Sequence, residues 1–205
     1  MEDDVLLTRG RYQPFGHHHA AVFDYFMDKH GADELNVVTE GLSNDRMPTS
    51  PFYGDEVAEM IDSSFENDYD VGYDVNVVNQ ESFFDDEVFG VLEGEPTYFT
   101  REKSHSRVFK GLKSIYGAAF WNDVGIGGVD YEPREDRRPF ERFDRPVESS
   151  STNIRGMIDD GDDGWRRYVS DSVEDLVDEN DEAREVIGRP QSSGKYVAIA
   201  VSSLF

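Results

Sequence analysis

Gly10-Arg11-Tyr12-Gln13-Pro14-Phe15-Gly16-His17-His18-His19 decides the reading of this chain, because of what stands on either side of it. Before it, Val5, Leu6 and Leu7 read as a short buried strand. After it, Ala20, Val22, Phe23, Phe26 and Met27 recur at the spacing of one helix face. The stretch is therefore a strand–turn–helix junction with cationic residues at the helix start. Unpaired N–H groups and the helix dipole attract anions there. Arg11 can neutralise a phosphate. Gly10 allows the backbone to come close to a ligand. A histidine at such a start can hydrogen-bond phosphate oxygens and stabilise charge that builds up in a transition state. Three adjacent histidines also suggest a metal, but neighbours on a helix point about 100° apart, so no metal site is expected. The plainer reading is a surface turn.

The pattern continues along the chain. Leu35–Thr39 is a second apolar run, Gly41–Ser50 a loop, and Gly54–Phe65 a helix with Val57, Ala58, Met60 and Ile61 on one face. Tyr73–Val78 and Thr97–Thr100 read as strands, with a helical segment near Ser104–Tyr116. Strands alternating with helices predict an α/β fold: a Rossmann-like parallel sheet with helices on both faces, followed by a C-terminal helical segment. Ligands of such sheets bind beyond the carboxyl ends of the strands, where the first turn falls. Residues 122–148 read as a long loop with at most one short strand. Ser149–Arg155 has the hydroxyls of a helix start. Trp165, Tyr168, Val169, Val173, Leu176 and Val177 form one helical stripe, ended by Gly188 and Pro190. The expected organisation is one domain over 1–190 and a tail over 191–205, whose Tyr196–Val201 run suits an edge strand or a subunit contact.

The charge is far from balanced: 44 acidic residues face 20 basic ones, for a net charge of -24 over 205 residues. The lysines are only Lys29, Lys103, Lys110, Lys113 and Lys195. An acidic, lysine-poor surface is what a high-salt (halophilic) cytoplasm favours, since salt screens the self-repulsion. The 13% aromatic content and the spaced apolar runs argue against disorder. No basic face suits a nucleic acid. Arg134–Arg145 is diluted by Glu135, Asp136, Glu141 and Asp144. Cysteine is absent, which excludes disulfides and thiolate metal sites. No apolar run approaches the about 18 residues of a membrane span. The expectation is a cytoplasmic protein with no membrane partner.

Ser150-Ser151-Thr152-Asn153-Ile154-Arg155 is a second helix start with hydroxyls and an arginine one turn in. With Gly10–His19 it resembles the signature pair of the HxGH nucleotidyltransferase superfamily. There, a first-strand G-R-F-Q-P-F-H-x-G-H and a late S-S-T-x-I-R open two helices. The Gly-Arg-aromatic-Gln-Pro-Phe run looks most like the archaeal-type nicotinamide-nucleotide adenylyltransferases. Pro51-Phe52 with Glu56 and Met60-Ile61 is similar to that family's N-P-F-T-x-x-E-R segment. Gly164-Trp165-Arg166-Arg167-Tyr168-Val169 is similar to its G-x-W-x-x-x-V motif. The resemblance runs from about residue 4 to about residue 180, weakest over 79–148. It departs in one place: the family's first His falls on Gly16 and its Gly on His18, while His19 keeps the second His.

This resemblance implies adenylyl transfer from ATP to nicotinamide mononucleotide, giving NAD and pyrophosphate, in a homo-oligomer. It assigns Arg11 to the substrate phosphates and His19, helped by His17 or His18, to the pentavalent α-phosphate. Ser151, Thr152 and Arg155 are assigned to the β- and γ-phosphates, and Ser150 belongs to the ATP-binding set beside them. Gly10, Gln13, Phe15 and Gly16 complete the ATP-binding set. Mg2+ is expected to arrive with ATP, held by phosphates and water rather than by protein ligands. Phe83 and Phe84 suit stacking on the nicotinamide ring, or core packing equally well. Two other readings stay open at this stage. One is a nucleotide-binding or sensor protein of the same fold without catalysis; the other is a related transferase with a different acceptor.

Overall fold

The computed structural model describes residues 5–40, 45–81, 87, 91, 97–100, 129–131 and 149–189. Five parallel strands form one sheet in the order β3-β2-β1-β4-β5. They are β1 (Val5–Gly10), β2 (Glu34–Glu40), β3 (Asp74–Gln80), β4 (Thr97–Thr100) and β5 (Val129–Tyr131). Helix α1 (His17–His30) joins β1 to β2, and α2 (Gly54–Ser63) lies between β2 and β3. The Rossmann-like α/β architecture read from the sequence is thus the observed one. The short strand expected somewhere in 122–148 is β5. The helix expected near Ser104–Tyr116, Phe83, Phe84 and the tail from 191 lie outside the described residues.

Register explains the burial. Leu6 stands opposite Leu35 and Thr8 opposite Val37, so these side chains share one sheet face. Ala20, Phe23, Phe26 and Met27 of α1 and Val57, Met60 and Ile61 of α2 pack onto that face in one core cluster. On the opposite face Leu7, Val38 and Val78 are buried too. Helix α1 stops at Gly31, whose φ of 64° is a left-handed cap that glycine adopts without strain.

Three short C-terminal helices complete the core: α3 (Ser151–Asp159), α4 (Asp171–Glu179) and α5 (Asp181–Ile187). Ile154, Trp165, Val169, Val173, Val177, Ala183 and Ile187 join the same cluster as the sheet. The stripe from Trp165 to Val177 is not one helix. It splits into a 3-10 turn (Asp163–Tyr168) and α4, because extended Val169 intervenes and the Ser170 hydroxyl caps α4 by accepting from Val173 N–H. The Ser64 hydroxyl donates to the Met60 carbonyl at 2.6 Å and lies 2.7 Å from Ser170 Oγ. That chain sews the π-turn after α2 (Ser64–Asp68) to the start of α4.

Glu56 links the N-terminal and C-terminal halves. Its carboxylate accepts both ends of the Arg46 guanidinium (2.6 and 2.7 Å), the Tyr53 N–H (2.7 Å) and the Asn180 amide (2.7 Å). Burial alone would push the carboxyl up, but these donors outweigh it and hold it below its ordinary value. The Glu56 segment of the sequence motif is therefore a structural clamp.

Candidate functional site

Strand order reverses between β1 and β4, which are hydrogen-bonded neighbours. In an open parallel sheet a crevice opens there, at the carboxyl ends of the strands. The Gly10–His19 stretch leaves β1 at that edge. Its path is fixed locally. Gln13 is only 3% exposed, and its side-chain amide donates to the Phe52 carbonyl at 2.8 Å and accepts from the Phe52 N–H at 2.9 Å. Tyr12 adopts a φ of 44°, rare for a side-chain-bearing residue, and the Gln13-Pro14 bond is cis. The Tyr12 ring folds back over the end of β1. A Cβ on Gly10 would sit 2.8 Å from Tyr12 Cζ, so glycine there makes room for Tyr12 rather than for a ligand.

Two segments that are distant in sequence meet at this turn. The Ser151 hydroxyl donates to the Pro14 carbonyl at 3.1 Å, and Arg155 Nη1 donates to the Gln13 carbonyl. Arg155 Nη2 also donates to Thr152 Oγ1 at 3.3 Å. The start of α3 is thus docked against the loop that precedes α1. Arg11 is exposed on the same loop. Burial, and then the neighbouring Arg11 charge, lower the pKa of Arg155. Among the described residues neither guanidinium has a carboxylate partner. Two like charges thus stand near one another with no acid paired to either among the described residues, in a chain where acids outnumber bases more than two to one.

The histidines divide by helix geometry. His17 is only 2% exposed and turns inward, with Nδ1 2.8 Å from the Tyr69 hydroxyl. It is a core residue, so the expectation that it lends an imidazole to the site is corrected. His19 Nδ1 accepts the Gly16 N–H at 3.2 Å. A neutral ring that accepts at Nδ1 carries its proton on Nε2, which is then a donor. The ring is packed edge-on to Tyr12 (5.2 Å) and stacked on Phe15 (5.5 Å). His18 lies against it, with ring centres 3.8 Å apart. The start of α1 thus presents His18 and His19 together.

Gly16 has a steric reason. A Cβ there would lie 2.9 Å from the Tyr168 carbonyl oxygen and 3.1 Å from His18 Nδ1. The glycine sits at the helix N-cap, where the 3-10 turn presses against it, and not two residues later as in the resembling motif. Sequence reading missed this contact, because nothing in the motifs says that Tyr168 returns to Gly16.

Other expected ligands take different roles. Both amide atoms of Gln13 are occupied by Phe52, and the fully buried Phe15 ring packs on His19, Phe23 and Phe65. The Ser151 proton goes to Pro14, so Ser151 clasps the two segments instead of donating to phosphate. Ser150 Oγ accepts from Asn153 N–H, and Thr152 Oγ1 accepts from Arg155. Both hydroxyls therefore keep a proton to donate.

Neither a protein-family model nor a curated protein sequence matches the chain. Solved structures do. A bifunctional NMN adenylyltransferase/ADP ribose pyrophosphatase from Francisella tularensis aligns over 90% of this chain and 52% of its own, at 14% identity and a TM-score of 0.58. The same bifunctional protein complexed with AMP and a manganese ion aligns over the same shares, at 13% identity and a TM-score of 0.56. Nicotinic acid mononucleotide adenylyltransferase from Plasmodium falciparum, complexed with NaAD, aligns over 88% of this chain and 97% of its own. That match has 12% identity and a TM-score of 0.53. The chain spans about half the length of the bifunctional proteins. It shares the Rossmann-like fold of these adenylyltransferases.

Proposed function

We propose that this protein transfers the adenylyl group of ATP to nicotinamide mononucleotide, releasing pyrophosphate and forming NAD. The observation that carries the reading is the convergence of Arg11 and Arg155 where α1 and α3 begin. The two helix starts are docked together through the Pro14 and Gln13 carbonyls, and among the described residues neither guanidinium has a carboxylate partner, an arrangement suited to phosphate. The nucleotide chemistry of the structural neighbours, and the resemblance of the two segments to the HxGH signature pair, support it.

In this reading the 5′-phosphate oxygen of the mononucleotide attacks the α-phosphorus of ATP. The new P–O bond forms as the bond to the bridging β-oxygen breaks, and its electron pair leaves with pyrophosphate. Arg11 and Arg155 draw the two phosphate groups together and offset their repulsion. His19 donates from Nε2 to the α-phosphate as charge gathers there, and His18 supports it from the adjacent position. Thr152 and Ser150 donate hydroxyl protons at the start of α3.

Mg2+ enters with ATP and neutralises the triphosphate. The described residues contain no group of three or more His, Cys, Asp or Glu side chains able to hold a metal. In this reading phosphate oxygens and water would hold the ion. No described helix is long and apolar enough to cross a membrane. We place the protein in a high-salt cytoplasm, as a homo-oligomer.

The test is incubation with ATP, Mg2+ and nicotinamide mononucleotide at molar KCl, with NAD and pyrophosphate quantified. Stoichiometric NAD and pyrophosphate support the proposal. ATP binding without product selects the non-catalytic alternative, and product only with another acceptor moves the reading to a sister reaction.

A further inference from the structure

Eight arginines lie among the described residues, and five have carboxylate partners. Arg9 pairs with Glu40, Arg46 with Glu56, Arg166 with Glu174 and Asp178, Arg184 with Asp178, and Arg189 with Glu185. In a chain with 44 acidic residues that is the default. Arg11, Arg155 and Arg167 depart from it: among the described residues none of the three has such a partner. Two of them already form the anion site.

The third lies one residue from the contact between the 3-10 turn and the start of α1. Arg167 belongs to the 3-10 turn, which is pinned by buried Trp165 on one side and buried Val169 on the other. Its neighbour Arg166 is held over the Trp165 ring and tied to α4, so it is not available. The Tyr168 carbonyl, one residue on, lies against Gly16 at the start of α1. The Arg167 guanidinium is exposed and rests over the Tyr168 ring, 4.6 Å from its centre. Arg167 Nη2 donates to the Tyr168 hydroxyl, so stacking and this bond together orient the fork and leave the Nη1 N–H groups to a ligand.

We propose that Arg167 is a third phosphate-binding arginine, which engages the part of the nucleotide that leaves as pyrophosphate. The inference rests on the adenylyl-transfer reading. Charge counting motivates it: a phosphate monoester carries about two negative charges at neutral pH. Arg11 and Arg155 supply only two positive charges for the attacking phosphate and the triphosphate together. A triphosphate carries more, and among the described residues Arg167 is the remaining guanidinium without a carboxylate partner, one residue from the turn's contact with the helix start.

The test is calorimetric titration at fixed high KCl of wild type, Arg167→Ala and Arg167→Lys with MgATP, with pyrophosphate and with AMP. Arg167→Ala is expected to weaken MgATP and pyrophosphate about tenfold, the scale of one charge-assisted contact, and to leave AMP unchanged. Arg167→Lys recovers part of the loss. Unchanged pyrophosphate affinity in Arg167→Ala overturns the proposal. So does an equal weakening of AMP and pyrophosphate, the signature of a merely structural role. If wild type binds neither MgATP nor pyrophosphate, the adenylyl-transfer reading itself fails, and this inference with it.

Discussion

Replacing Arg155 with alanine separates the two things this side chain does. It clasps α3 to the first turn through the Gln13 carbonyl, and it supplies positive charge beside Arg11. Loss of one hydrogen bond costs about 1 kcal/mol of stability. Against that, the substitution removes a charge that burial and Arg11 both disfavour, so the net change in unfolding free energy should stay within about 1 kcal/mol. Activity should respond on another scale. Removing a preorganised donor from a site of developing charge typically costs about 10²–10³-fold in rate. The control is Ser151→Ala, which breaks the other clasp, to Pro14, and touches no charge. Steady-state kcat/KM for NAD formation, with urea unfolding of each variant, makes the comparison. The account expects a small and similar stability change in both, with a much larger activity loss in Arg155→Ala. Equal activity losses would show that Arg155 only positions α3, and the charge argument would fall.

Three further outcomes follow from the same geometry. Gly16→Ala places a Cβ against the Tyr168 carbonyl, and should destabilise the fold by roughly 1–3 kcal/mol in denaturant titration; an unchanged midpoint would show that the 3-10 turn gives way freely. Burial and then Glu66 push the Asp62 carboxyl up to about 6 from 3.8. The fold therefore holds that proton more tightly than the unfolded chain does, and loses stability as pH rises through this window. Asp62→Asn should raise the melting temperature at pH 7.5 and scarcely change it below pH 4, whereas an equal shift at both would assign the effect to packing. His17→Ala should lower the melting temperature, since it vacates a buried site against Tyr69, yet keep more activity at low temperature than His19→Ala; the reverse order would misplace the catalytic imidazole.

The parts of this molecule that follow from local chemistry were readable in the chain. Val5–Leu7 and Leu35–Thr39 are apolar because both sheet faces are buried, and Ser150 caps the helix that its hydroxyl run announces; Ser170 and Asn180 cap helices that the single apolar stripe does not separate. The meeting of the two motif segments followed from their resemblance to a known pair, and the Ser151 and Arg155 bonds to Pro14 and Gln13 realise it. What could not be read was which member of each motif turns inward. His17, His18 and His19 are chemically equal in sequence. Only the packing of α1 against Tyr69, 52 residues away, buries the first and leaves the other two at the helix start. Gln13 and Ser151 look like phosphate donors until their partners at Phe52 and Pro14 are seen. The stripe from Trp165 to Val177 keeps its apolar spacing across a break at Val169, because the 3-10 turn and α4 bury the same edge. Spacing reports burial there, not continuity.

The whole account turns on one phosphate chain lying between the start of α1 and the start of α3. A crystal structure with Mg2+ and a non-hydrolysable α,β-methylene analogue of ATP addresses that directly. The account predicts phosphate oxygens within hydrogen-bond distance of Arg11, His19, Thr152 and Arg155. An analogue bound away from that crevice, touching neither guanidinium, would contradict it.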